Sequence, residues 1–209
     1  VSLPPAEEIE SIFRNLLPPE ARVVAVAVAD APADWPVPSE LQKARTSRQR
    51  EFIAGRWCAA RVLSLLGVVG TIGRRDDRAP QWPLGVIGSI SHTPKIAVAA
   101  GARATLTGLG IDVEPLVSAE ALRELRSSAI DDEEWRLLGA DPALATVLFS
   151  AKETLFKCEN PRTGVWLEFH EATLVAKDAE ALTLRFAAGE RRVRYVLAYG
   201  HAFTALAVA

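Results

Sequence analysis

Apolar residues recur at helical spacing over residues 7–17, and Pro18-Pro19 ends the pattern, so the chain is predicted to open with a helix. The β-rich run at 23–29 predicts a buried strand. One or two helices are predicted over 39–66, where Phe52, Ala59, Val62, Leu63 and Leu66 recur on one side and Gly67 closes the segment. The stretch 78–88, RAPQWPLGVIG, is interrupted by Pro80, Pro83 and Gly85 and reads as a loop. It leads through SISHT into an apolar strand at 96–100, which puts Ser91 and His92 at a strand edge. A second series begins with a strand in LTGLGIDVEPL. Helical segments follow at 119–126, from Asp131, where Asp131 and Glu134 have capping-box spacing, and at 149–158. Four more strands are predicted at 172–176, 182–186, 194–198 and 202–207. HTPKIAVAA from His92 and HAFTALAVA from His201 each set a His shortly before an apolar strand, a faint echo between the two series.

Length and composition narrow the class. A chain of 209 residues can bury a substantial core as one domain or two small ones; two halves are expected, 1–105 and 106–209. With 49% apolar and 24% charged residues and no low-complexity tract, the chain should fold throughout. No apolar run reaches about 18 residues, and the N-terminus carries Pro4-Pro5 and acidic residues, so neither a membrane span nor a signal peptide is expected. Cys58 and Cys158 lack metal-site spacing and read as packing residues of a cytoplasmic protein. The net charge of −2 conceals an asymmetry: residues 43–78 carry a local balance of +6, and residues 111–159 carry −6. A basic half suits an anionic ligand and an acidic half suits a cation, although solvated helix faces also produce such swings.

Three groups of side chains carry candidate chemistry. Alternation along a strand turns Asp112 and Glu114 to one side with Cα atoms about 6.6 to 7 Å apart, so that two carboxylates can converge on one ion. In FSAKETLFKC, Glu153 and Lys157 have the spacing of an ordinary helical ion pair, yet a carboxylate between Lys152 and Lys157 can also hold a divalent cation and the phosphates it carries. Arg48 and Arg56, eight residues apart, lie within roughly 80° of each other around a helix and can grip one ligand. A serine hydrolase built on Ser91 and His92 is disfavoured, because neighbours on a strand point to opposite faces and G-x-S-x-G is absent. Nucleic-acid binding is disfavoured by the absence of interleaved aromatic residues and of a basic net charge.

The order of these motifs resembles the 4'-phosphopantetheinyl transferase superfamily, and most nearly its bacterial enterobactin-synthetase-activating branch. The motifs are an arginine-bearing helix, R-x-P-x-W-P-x-G-x-x-G-S-x-S-H, G-I-D-V-E, and F-S-x-K-E-x-x-x-K. The resemblance spans about residues 43 to 160. It implies an α+β fold of two similar halves related by a pseudo-twofold, with coenzyme A in the cleft between them. It further implies Mg²⁺, or Mn²⁺, on Asp112, Glu114 and Glu153, and catalytic roles for Glu153, Lys157 and Asp112. Lys157 would contact the pyrophosphate, with Lys152 beside it among the coenzyme-binding residues. Arg48, Arg56, His92 and Ser91, with Arg74 or Arg78, would hold the 3'-phosphate and adenine end; Arg75 is the alternative to Arg74. Phe149 stands where surfactin-activating relatives have Trp. The implied reaction is attack by a serine of an apo acyl or peptidyl carrier protein on the β-phosphate of coenzyme A, catalysed by a monomer without nucleic acid or membrane. Leu122, Leu125, Arg123 and Arg126 are the expected carrier-facing groups. The alternative is a non-catalytic coenzyme A or nucleotide-binding module, which needs the arginines and His92 but not three convergent carboxylates.

Overall fold

The computed structural model describes residues 3–209. Helix α1 (Ala6–Leu16) is followed by β1 (Arg22–Ala27), a single 3₁₀ turn (Val28–Asp30), a second one (Ser39–Leu41), and the long helix α2 (Thr46–Leu65). The two-residue strands β2 (Gly73–Arg74) and β3 (Pro80–Gln81) pair with each other, and β4 (Val86–His92) and β5 (Ile96–Arg103) complete the first half. The second half runs β6 (Gly108–Pro115), α3 (Ala119–Ser128), α4 (Asp132–Leu137), α5 (Pro142–Thr163), β7 (Thr173–Lys177), β8 (Ala181–Phe186), β9 (Gly189–Ala198) and β10 (His201–Val208). The fold is α+β with two sheet-bearing halves.

One sheet has the order β1-β5-β4 and the other β6-β10-β9-β8-β7, with antiparallel neighbours throughout. In both, the first strand of the half pairs with the last, and the last also pairs with the strand before it. The series β1, α2, β4, β5 therefore matches β6, α5, β9, β10. The echo between HTPKIAVAA and HAFTALAVA falls on the matching strands β5 and β10, but its histidines are not equivalent: His92 ends β4, whereas His201 opens β10.

Alternation along the strands sorts the core into layers. Val23, Ala25, Val98 and Ala100 of the first sheet and Leu109, Ile111, Val113 and Phe203 of the second face inward onto α1. Helix α1 fills that space with Ile9, Phe13 and Leu16, one helical stripe, and Phe13 meets Phe203 edge-on at 5.8 Å. Burying Phe13 alone contributes about 1.5–3 kcal/mol. Arg194 of β9 donates to the carbonyls of Asn15 and Leu16, placing a cation from the second half on the C-terminus of a helix from the first. Helix α2 covers the outer face of the first sheet, and α5 covers that of the second.

Candidate active site

Strand β6 and helix α5 build the acidic side of the site through an unusually close approach. Gly108, Gly110, Asp112 and Glu114 share one face of β6, the face that α5 covers. A Cβ on Gly110 would lie 2.1 Å from the carbonyl oxygen of Thr154, and one on Gly108 would lie 2.8 Å from Cys158 Sγ. The two glycines let helix and strand touch backbone to backbone, which carries Asp112 into the side chains of α5.

Asp112 is 1% exposed, and both of its oxygens are engaged. Oδ1 accepts from Lys157 Nζ at 2.6 Å and from Ser91 Oγ at 2.7 Å, and Oδ2 accepts from Ser150 Oγ at 2.7 Å. Ser91 comes from the other half of the molecule. Its hydroxyl also accepts the backbone N–H of Val113 at 3.3 Å, and Ser89 Oγ accepts that of Ile111 at 3.1 Å. Along this seam two serine hydroxyls of β4 receive N–H groups of β6 in place of backbone carbonyls, joining the edges of the two sheets. Behind Asp112, Ser150 is hydrogen-bonded to Thr204 of β10 at 2.8 Å, and Thr204 to Thr154 at 2.6 Å. Sequence reasoning missed Ser89, Ser150, Thr154 and Thr204. The signal available for two of them was spacing, since Ser150, Thr154 and Lys157 recur at i, i+4 and i+7 on the face that packs on β6.

Glu114 and Glu153 share this charge environment. Glu114 is pushed up to about 7 by burial and then by the Asp112 carboxylate, with Glu153 adding to the rise and Lys157 opposing it. Glu153 is also raised, by burial and then by Asp112, against the pull of Lys157. Burial alone would lower Lys157, but Asp112, Glu153 and Glu114 outweigh it and hold the ammonium above its ordinary value. Three carboxylates thus face one ammonium. Among the described residues no group of three or more His, Cys, Asp or Glu side chains stands in the arrangement of a formed metal site, and Lys157 lies against Asp112. The donor chemistry nonetheless fits a hard cation: oxygen ligands with negative charge in excess of the single cationic partner.

Across the seam, α2 and the end of β4 form the basic side. Arg48 Nη1 lies 3.0 Å from His92 Nε2 and 3.3 Å from Glu51 Oε2. A guanidinium can only donate, so Nε2 is the acceptor and the ring proton sits on Nδ1, 3.6 Å from Glu51. Burial, then Arg48, lowers the pKa of His92. Arg56 does not join this pair. It donates to the carbonyls of Ile72 and Gly73, at 3.2 and 2.6 Å, and stacks over Phe52. Burial and then the neighbouring Arg74 lower its pKa. Arg78, held at φ 71°, lines a cleft of ≈ 220 Å³ between the halves, with Ser89 and Ile90 on one wall and Phe156, Lys157 and Trp166 on the other.

Comparison with known proteins adds an independent observation. Residues 37–102 match the 4'-phosphopantetheinyl transferase N-terminal domain, and residues 108–209 match the 4'-phosphopantetheinyl transferase superfamily. The chain is 38% identical to the 4'-phosphopantetheinyl transferase Svp of Streptomyces mobaraensis, over 91% of this chain and 87% of Svp. It is 36% identical to enterobactin synthase component D of Salmonella typhimurium, over 74% of this chain and 68% of that protein. With PptT of Mycobacterium tuberculosis it shares 32% identity over 76% and 73% of the two chains. The chain belongs to the 4'-phosphopantetheinyl transferase superfamily.

In this phosphopantetheinyl transferase two sequence expectations are revised by where the side chains go. Lys152 does not reach the cleft beside Lys157. It is 3% exposed, and its ammonium is held by Glu134, at 2.8 and 2.9 Å, and by the carbonyl of Ala129, at 2.8 Å. Lys152 and Glu153 are helix neighbours and point apart, so of the two lysines it is Lys157 that flanks the carboxylates. On α3, Leu122 and Leu125 pack on the core of the second half, and Arg126 is paired with Asp132 and stacked on Trp135. Of the four expected carrier-facing groups, Arg123 alone is exposed.

Proposed function

We propose that the protein transfers the 4'-phosphopantetheine arm of coenzyme A to a serine of an apo acyl or peptidyl carrier protein and releases 3',5'-ADP. The observation that carries this reading is Asp112, fixed at the seam of the two halves in contact with Lys157 and electrostatically coupled to Glu114 and Glu153. The Arg48–His92 pair lies across that seam.

Arg48 and His92 hold the 3'-phosphate, with Arg56, Arg74 and Arg78 adding positive potential along the same wall. Lys157 lies at the cleft and offsets charge on the phosphates during transfer. The serine hydroxyl of the carrier attacks the β-phosphorus, the bond from that phosphorus to the bridging oxygen breaks, and the ADP oxygen leaves as an anion. Glu153 accepts the serine proton as the general base. Asp112, Glu114 and Glu153 are the residues that would hold Mg²⁺ or Mn²⁺, which supplies charge neutralisation at the pyrophosphate when bound. Ser91 acts as a strut between the halves and a donor to Asp112, and Lys152 is left out of coenzyme binding.

One chain supplies both walls of the cleft, which supports a monomeric enzyme. Cys58 and Cys158 are unpaired and buried, which supports a reducing, cytoplasmic setting; no described helix is long and apolar enough to cross a membrane.

The test is incubation with coenzyme A, Mg²⁺ and a panel of apo carrier proteins, read by mass spectrometry. One phosphopantetheine arm gained on a carrier, dependent on Mg²⁺, is the expected result. Coenzyme A binding without modification of any carrier would return the chain to a non-catalytic binding module.

A further inference from the structure

The buried hydroxyls behind Asp112 have no place in the transfer reaction, and the one that meets Asp112 has a fixed proton direction. As a carboxylate, Asp112 can only accept, so Ser150 must spend its one proton on Oδ2 at 2.7 Å. Ser150 Oγ is then free only to accept, and Thr204 Oγ1 lies 2.8 Å from it. Thr204 Oγ1 also stands 3.1 Å from the carbonyl oxygen of Ser150 and 2.6 Å from Thr154 Oγ1, so two of the three acceptors within reach of its proton belong to Ser150. Thr154 Oγ1 lies 2.6 Å from Thr204 Oγ1 and 3.5 Å from the carbonyl oxygen of Thr204, so it is tied to Thr204 whichever of the two hydroxyls donates. The hydroxyls are thus in contact in the order Thr154, Thr204, Ser150 and Asp112, linking α5, β10 and β6.

All three hydroxyl residues are 0% exposed. An apolar triad of similar volume would pack β10 against α5 without any need for ordered protons, so packing alone does not account for the chain. Its single exit is Asp112 Oδ2. On the other oxygen, Ser91 and Lys157 approach from β4 and from the next turns of α5. The carboxylate is thus gripped at both ends, and rotation about χ2 would break a hydrogen bond whichever way it turned.

We propose that Ser150, Thr204 and Thr154 are positioning residues that fix the orientation of the Asp112 carboxylate, presenting it to a divalent cation at the seam. The inference rests on the role given to Asp112 above. Ser150 acts directly on the carboxylate, Thr204 acts through Ser150, and Thr154 acts through both. Their influence should therefore diminish with distance along the chain. Outer-shell partners of this kind typically change metal affinity by about 10–100-fold when removed.

The experiment uses the full chain and four variants: Ser150→Ala, Thr204→Val, Thr154→Val and Thr204→Ser. Mn²⁺ alone is titrated by its paramagnetic signal, thermal melting is recorded in parallel, and the KM for coenzyme A is measured in turnover. Ser150→Ala should weaken Mn²⁺ binding by about 10-fold or more, with Thr204→Val next and Thr154→Val least. Thr204→Ser keeps the hydroxyl and should stay within about twofold of the parent, and the KM for coenzyme A at saturating metal should hold in all four. Melting temperatures should not follow the same order, because the three sites are equally buried. If Ser150→Ala does not fold, Ser150→Cys, a weak donor of similar size, takes its place with the same expected direction. Folded Ser150 and Thr204 variants that bind Mn²⁺ as tightly as the parent would overturn the positioning role while leaving the transfer reaction standing. A parent chain that modifies no carrier protein would instead remove the reading on which the inference rests.

Discussion

Helix α5 carries two lysine–carboxylate pairs five residues apart, and they have opposite fates. Lys152 and Glu134 are both 2% exposed at the side chain, and both are held by several partners. Glu134 receives Lys152, the N–H of Asp131 in the capping box of α4 and the N–H of Leu174 in β7, while Lys152 also reaches the carbonyl of Ala129. That pair knots α4, α5, β7 and the turn before α4 together. In the second pair Asp112 is equally buried, but Lys157 is 25% exposed and lines the cleft, and the neighbouring carboxylates Glu114 and Glu153 carry raised pKa values. A saturated pair stabilises the fold. A pair with like charge left over beside it is poised for a ligand, and the difference is set by which side of the helix each lysine leaves.

The largest expected effect separates the two lysines by stability. Lys152→Ala leaves the Glu134 carboxylate buried without its cation, and breaking one side of a buried pair costs about 3–5 kcal/mol. Lys157→Ala should cost less, because Lys157 is partly exposed at the cleft and its removal lets water reach Asp112, which also keeps Ser91 and Ser150 as donors. Denaturant unfolding of both variants measures this, and equal losses would erase the distinction between the pairs. Turnover per folded molecule should follow the reverse order.

Next in size is Glu153→Gln, which keeps shape and helix propensity. As one half of a surface-type helical pair with Lys157, Glu153 would contribute only a few tenths of a kcal/mol to stability, and its loss would leave catalysis nearly intact. As a general base and ligand it is needed for the reaction, so kcat should fall at least about 100-fold, roughly 2.7 kcal/mol of barrier, with the melting temperature little changed. Near-parental turnover at saturating Mg²⁺ would place Glu153 with Lys152 among the structural residues.

Much of this was legible in the chain because it is local. The capping box at Asp131 and Glu134 forms as its spacing predicts, and the alternation in IDVE puts Asp112 and Glu114 on the same face of β6. Helix α5 extends beyond the predicted 149–158 at both ends. Asp141 caps it and Pro142 occupies its first turn, both readable start signals, and Gly164 ends it in the left-handed conformation. The proline and glycine pattern of 78–88 predicts a loop, but β3 lies near its start, paired with β2 upstream, and β4 begins at Val86. What periodicity could not supply was long-range partnership. Lys152 finds Glu134 eighteen residues away, Ser150 finds Asp112 and Thr204, and Glu51 finds His92; each depends on which elements the fold stacks together.

The smallest expected effect concerns the basic side of the seam, where His92 contrasts with the carboxylates across from it. Arg48 and Glu51 of α2, Lys157 of α5 and Asp112 of β6 all bear on the ring; burial and then Arg48 dominate, and together they lower its pKa. In the unfolded chain the ring titrates near its ordinary value of about 6.5. As pH falls through that value the unfolded state takes up a proton that the folded state still refuses, so stability drops with falling pH. The loss is complete once pH is below the folded value as well. His92→Gln keeps an acceptor for Arg48 but cannot titrate, so its stability should change less than that of the parent between about pH 7 and pH 5. The comparison is made by denaturant unfolding at several pH values in a chelating buffer. The raised carboxylates contribute an opposite slope in this range, stabilising the fold as pH falls, but they are common to both chains and cancel in the difference. Identical slopes would mean that His92 is not held neutral by Arg48, and the 3'-phosphate would then meet a ring already able to carry charge.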